Sequence, residues 1–82
     1  MIDQARKAAA AEDLHKLQFA AHALAGGCAM LGAQRLEAAA RAMERAAEGG
    51  DARRAGDALR QVEVQYELLE ALIGEERLGR VA

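Results

Sequence analysis

An all-α fold, an up-down-up-down four-helix bundle with a short first helix, is what this sequence predicts, on three observations. About a quarter of the 82 residues are alanine, with no proline and few aromatics or β-branched residues, a composition of strong helix formers. Glycines and capping aspartates punctuate the chain at helix-length intervals. Between them, apolar residues recur at helical rather than strand spacing.

The first helix spans about Ile2 to Ala11, with Asp3 near its start. Asp13 caps a second that continues to about Leu31 and stops at Gly32. A third runs about Ala33 to Glu48 and ends at Gly49-Gly50. Asp51 opens a fourth, which reaches about Ile73 before Gly74; the charged tail from Glu75 to Ala82 is expected to fray. At about 100° per residue, Leu17, Ala20, Ala21, Leu24, Cys28 and Leu31 share one face of the second helix. Leu36, Ala40, Met43 and Ala47 do so on the third, opposite Arg41, Arg45 and Glu48. On the fourth, Ala55, Leu59, Val62, Tyr66, Leu69 and Ile73 line up. Short connections make neighbouring helices antiparallel. One domain over residues 1–82 follows, with its core at about 12–74. A second stripe on the fourth helix, Val64, Leu68 and Leu72, points away from the first. Either the first helix covers it through Ile2, Ala5 and Ala9, or it is a dimer contact or faces a neighbouring domain; a monomer is the simpler expectation.

Charge and composition exclude several classes. Eleven basic and 13 acidic residues are interspersed, for a net charge of −2, so there is no basic footprint for nucleic acid. Phe19 and Tyr66 alone offer no base-stacking platform. The single Cys28 cannot form an intrachain disulfide, which suits a reducing cytoplasm. No apolar run is long enough to span a bilayer, and no signal-peptide core opens the chain. The expected setting is cytoplasmic, without direct membrane contact, whether standing alone or as part of a membrane-bound protein.

The most informative segment is His22 to Ala33, His-Ala-Leu-Ala-Gly-Gly-Cys-Ala-Met-Leu-Gly-Ala. His22 falls about 160° from Leu24, on the face opposite the core, with Gly26 one turn on. Around it lie His15, Gln18 and Ala29, flanked by Ala25 and Phe19. Small and apolar residues stand where a solvated face normally carries Lys and Glu, which suits a partner that approaches the backbone closely. Glycine at position 26 costs about 1 kcal/mol of helix propensity, and no packing rule asks for it on an exposed face. His15 and His22 are separated by about 10.5 Å of helical rise, too far to share one metal ion, so His15 is read as a contact residue. Cys28 shares the Leu24 stripe and is read as packing.

The segment resembles the histidine-containing phosphotransfer (HPt) domain, whose signature reads roughly His-x-Leu-Lys-Gly-Ser-x-x-x-Leu-Gly-Ala. His22, Leu24, Gly26, Leu31, Gly32 and Ala33 are in register, and Asp13, Leu17, Gln34-Arg35-Leu36 and Gly50-Asp51 fit the family's layout. The resemblance implies that His22 is the phosphoacceptor. It passes a phosphoryl group to or from the aspartate of a response-regulator receiver domain, on its own or within a hybrid sensor kinase. It implies a transfer intermediate rather than an ATP-dependent kinase. The domain has no cofactor or metal of its own; Mg²⁺ arrives with the receiver. His15, Gln18, Phe19, Ala25, Gly26 and Ala29 form the partner surface. The signature lysine is Ala25 here. That departure keeps open a second reading, a pseudo-HPt or helical interaction module that binds without accepting phosphate. The dimerisation region of a sensor kinase fits less well, since Ala23 follows the histidine and the chain has no proline.

Overall fold

The computed structural model describes residues 2–81, with side chains through residue 72. Four helices follow in order: α1 (Ile2–Ala10), α2 (Leu14–Leu31), α3 (Gln34–Glu48) and α4 (Ala52–Val81). The short turns fold each helix back along its predecessor, giving the up-down-up-down bundle. α2 packs most extensively on α3, and α3 on α4; α1 closes the remaining side against α2 and α4.

All three turns use the same closing geometry. A residue two or three positions past each helix donates to a carbonyl five positions back, in the pairs Asp13–Ala8, Ala33–Cys28 and Asp51–Ala46. The residue before it donates three back, in the pairs Glu12–Ala9, Gly32–Ala29 and Gly50–Ala47. This is the Schellman arrangement, which needs a left-handed residue at the turn. Gly32 and Gly50 supply it at φ of 72° and 76°; in the first turn Glu12 does so at φ of 55°. Asp13 and Asp51 then cap the following helices, accepting from the backbone N–H of Lys16 at 3.1 Å and Arg54 at 3.0 Å. α3 starts at Ala33 without a side-chain cap.

The core is built from small residues and a few large ones. Leu17, Met43 and Val62 are its largest fully enclosed side chains, surrounded by alanines of all four helices. Leu36, Ala40, Met43 and Ala47 are all buried, as their spacing on α3 requires. On α4, Ala55, Leu59 and Val62 are buried, Leu69 is half-buried, and Tyr66 is 39% exposed. The Ile73 side chain lies outside the described residues.

Three expectations are corrected. α4 does not stop at Gly74 but continues to Val81, because each glycine costs only about 1 kcal/mol of propensity, and Gly74 and Gly79 stand among Glu, Arg and Leu, which are good helix formers. Leu31 is in phase with the α2 core stripe yet 81% exposed. α1 has nine residues against eighteen in α2, and its first turn, at Ile2, meets α2 at Leu24. Beyond that level α1 no longer covers this side of α2. Lastly, α1 does not cover Val64, Leu68 and Leu72, which all stay exposed. Arg6 reaches Glu63, and Ile2 sits beside Tyr66, so α1 lies along a different side of α4.

Candidate functional site

α2 carries one ionised side chain, Lys16, in eighteen residues. Its buried arc holds Leu17, Ala20, Ala21, Leu24, Ala25 and Cys28. The opposite arc holds His15, Gln18, Phe19, His22, Gly26 and Ala29, of which only Gln18 is even half-buried. Five of the six residues expected at the partner surface are thus reachable by a partner. Ala25 is the exception and a correction: it is fully buried. It lies about 60° around the helix from His22, on the margin of the packed arc. α2 is embraced by α1 and α3 together, so its buried arc is wider than one stripe.

His15, Gln18, Phe19 and His22 line a single shallow recess, and the fifth member of its wall is Glu44 from α3. Glu44 follows the buried Met43, so its side chain leaves α3 at the α2 boundary. There the His22 Nδ1 lies 2.6 Å from Glu44 Oε2. A carboxylate only accepts, so Nδ1 donates; in the neutral ring the lone pair then sits on the other nitrogen, Nε2. The His22 side chain is 74% exposed while that of Glu44 is 20% exposed. The carboxylate is therefore the anchored partner and the imidazole the presented one. Nε2 has no protein partner among the described residues.

Gly26 stands one turn beyond His22 on the same exposed arc. A Cβ placed there would meet nothing within 4 Å, so the glycine is not required by internal packing. What its absent side chain leaves is open space beside the imidazole. Phe19, one turn before His22, is 77% exposed, an aromatic ring offered to solvent at the edge of the recess.

No lysine or arginine lines this recess. The alanine at position 25 removes the cation of the signature. Arg35 does not replace it: it sits beside Leu68 and Leu72 at the α2–α3 turn, nine residues before Glu44, or about 13 Å along α3. Cys28 lies in the packed arc, where burial first and the charge of Glu37 second raise its thiol pKa above the usual range. It stays a protonated packing residue at neutral pH. Among the described residues no three His, Cys, Asp or Glu side chains gather as a metal site, and no helix is long and apolar enough to cross a membrane.

Glu44 is the residue that sequence reasoning missed. Its position two-thirds of the way along α3 shows nothing by itself; only the register of α3 on α2 brings it to His22. The available signal was negative: it is an acidic residue directly beside the Leu36–Ala40–Met43–Ala47 stripe rather than opposite it.

The family model of the Hpt domain matches residues 1–75 of the 82-residue chain. The chain belongs to the Hpt domain family, the histidine phosphotransfer domains of phosphorelays, whose members interact with response-regulator receiver domains. The match takes in α1, α2, α3 and α4 as far as residue 75. Neither the curated proteins nor the solved structures include a match to it.

Proposed function

We propose that His22 is the phosphoacceptor of this Hpt domain and exchanges a phosphoryl group with the phosphoaspartate of a receiver domain docked on the outer face of α2. The observation that carries this reading is the 2.6 Å contact from Glu44 to His22 Nδ1 together with the empty space over Gly26. The first selects the tautomer in which Nε2 is the nucleophile, as a carboxylate does behind a catalytic histidine. The second lets the receiver's loops come close.

The transfer asks little else of this chain. The Nε2 lone pair attacks phosphorus; the N–P bond forms as the acyl phosphate P–O bond breaks, and the aspartate leaves with the electron pair. The ring keeps its Nδ1 proton throughout. Its new positive charge lies against the Glu44 carboxylate, which stabilises it. The same steps in reverse return the phosphoryl group. Such a loose transition state is helped mainly by positioning and by neutralising charge, and the Mg²⁺ that does this for the phosphoryl oxygens comes with the receiver. Glu44 is thus a positioning residue, and His22 is the group that meets the reacting atom.

Incubation with a labelled phosphoreceiver and Mg²⁺ tests the assignment. Label is expected on the wild-type chain, lost in acid and retained in base. It is expected on His15→Gln and absent from His22→Gln. Label on His22→Gln overturns the assignment. A wild-type chain that binds the receiver and takes no label establishes the binding-only reading instead.

A further inference from the structure

The recess at His22 contains a carboxylate and no cation, and the receiver of the proposed function brings an anionic phosphoaspartate to it. Like charges facing each other across an interface oppose docking. The positive charge this requires lies next door. The chain has two lysines, Lys7 and Lys16, and both line one groove of about 610 Å³ between α1 and the first turns of α2. The groove shares His15 and Phe19 with the His22 recess, so the two are continuous. Its floor is apolar and small, from Ala8, Ala11 and Ala20.

Asp13, the one carboxylate in the groove, is engaged by its capping contact to the Lys16 backbone. Lys16 Nζ is only loosely paired with it, at 3.9 Å and largely exposed. Lys7 takes part in no ion pair among the described residues. Lys16 precedes His22 by six residues, or about 9 Å of helical rise. With the two side chains also about 120° apart around the helix, that is too far to touch the transferred phosphoryl group and beyond one Debye length at physiological salt, so the lysines act on the docked face of the receiver rather than on the phosphoryl group. The arginines Arg45 and Arg54 line a separate cleft between α3 and α4 that shares no residue with the recess.

We propose that the α1–α2 groove, with Lys7 and Lys16 on its rim and Phe19 at its junction with the recess, captures the acidic face of the receiver beside its phosphoacceptor aspartate. The cation that the family signature places next to the histidine is relocated to the neighbouring helix pair. There it acts on encounter and binding rather than on the phosphoryl oxygens. This rests on the receiver reading above.

The test uses the full chain and the receiver that donates to it fastest in a survey of receivers from the same genome. With Lys7→Glu/Lys16→Glu, the KM for phosphoreceiver is expected to rise by about tenfold or more at low salt, and the difference to shrink as salt is added. The rate at saturating receiver is expected to stay within about twofold, because neither lysine reaches the reacting atoms. Lys7→Arg/Lys16→Arg is expected to behave as wild type, as is Arg45→Glu in the separate cleft. A KM unchanged by the double reversal overturns the proposal, and so does a loss confined to the saturating rate. Titrating unphosphorylated receiver into the His22→Gln chain distinguishes this from failure of the phosphotransfer reading. Binding that needs the lysines, beside a wild-type chain that takes no label, supports the docking groove and overturns the transfer chemistry. Binding indifferent to them overturns the groove.

Discussion

α2 and α3 are packed side by side, yet they meet solvent in opposite ways. α3 sets Arg35, Glu37, Arg41, Glu44, Arg45 and Glu48 among its fifteen residues. Its outer face is a ladder of charge, including the pairing of Arg41 with Glu37 at 2.8 Å. α2 sets one lysine among eighteen residues, and its outer face carries an exposed phenylalanine, two histidines, a glycine and alanines. Both helices contribute a tightly packed inner face, so the difference does not come from the core. A solvated face of an ordinary bundle looks like that of α3. The outer face of α2 has kept the composition of a surface that spends part of its time covered, and the imidazole held by Glu44 sits in its middle.

Gly26→Gln gives the largest effect within that comparison, short of removing His22 itself. It fills the open space with a long side chain and makes α2 more like α3. Transfer is expected to fall on the order of a hundredfold from displaced reactants, while stability rises by up to about 1 kcal/mol. Thermal melts and single-turnover transfer measure the two. A stable Gly26→Gln protein that transfers normally breaks the link between the small residue and the partner.

Glu44→Gln sharpens the contrast from the α3 side. The amide oxygen still accepts from Nδ1, but the charge opposing the ring cation is gone. A charge-assisted contact is worth roughly 1.5–3 kcal/mol, so transfer is expected to slow by about tenfold or more. Nδ1 is expected to remain the protonated nitrogen in ¹⁵N spectra. Glu44→Ala is expected to lose that tautomer preference as well. A Glu44→Gln rate equal to wild type separates the anchoring contact from the chemistry.

Ala25→Lys restores the signature residue at a position where the structure has no room on the surface. Because Ala25 is fully buried, the stem must push out along the α2 margin. The expected cost is about 1–3 kcal/mol of stability from overpacking, with no gain in transfer. A faster, equally stable Ala25→Lys protein contradicts the burial and places the alanine on the partner side. The smallest effect is Glu12→Gly, which relieves the one left-handed non-glycine turn residue among the described residues. A gain of about 0.5–1 kcal/mol in denaturant midpoints is expected, with transfer unchanged.

Residues whose role depends on their own helix were legible in the sequence. The α3 stripe, the capping Asp13 and Asp51, the turn at Gly32 and the exposed line of His15, Phe19, His22 and Gly26 all follow from spacing and propensity. Residues whose role depends on a neighbour's reach were not. Leu31 carries the right phase but stands where α1 has already ended. Ala25 lies at the border of an arc widened by two flanking helices. Gly74 was too weak a breaker to end a helix without proline. Glu44 meets His22 only through the register between α2 and α3, which periodicity along one helix does not contain.

The central claim, that the uncharged outer face of α2 is the receiver's seat, is tested most directly by amide chemical-shift mapping. The ¹⁵N-labelled His22→Gln chain is titrated with unlabelled receiver. The largest shifts are expected along the outer arc of α2, at Phe19, Gly26 and Ala29 and at position 22, extending to Glu44 where α3 meets it, with Arg41 and Arg45 on the charged face of α3 left still. Shifts concentrated on that charged face, or at the Met30–Leu31 and Leu68–Leu72 end of the bundle, contradict it.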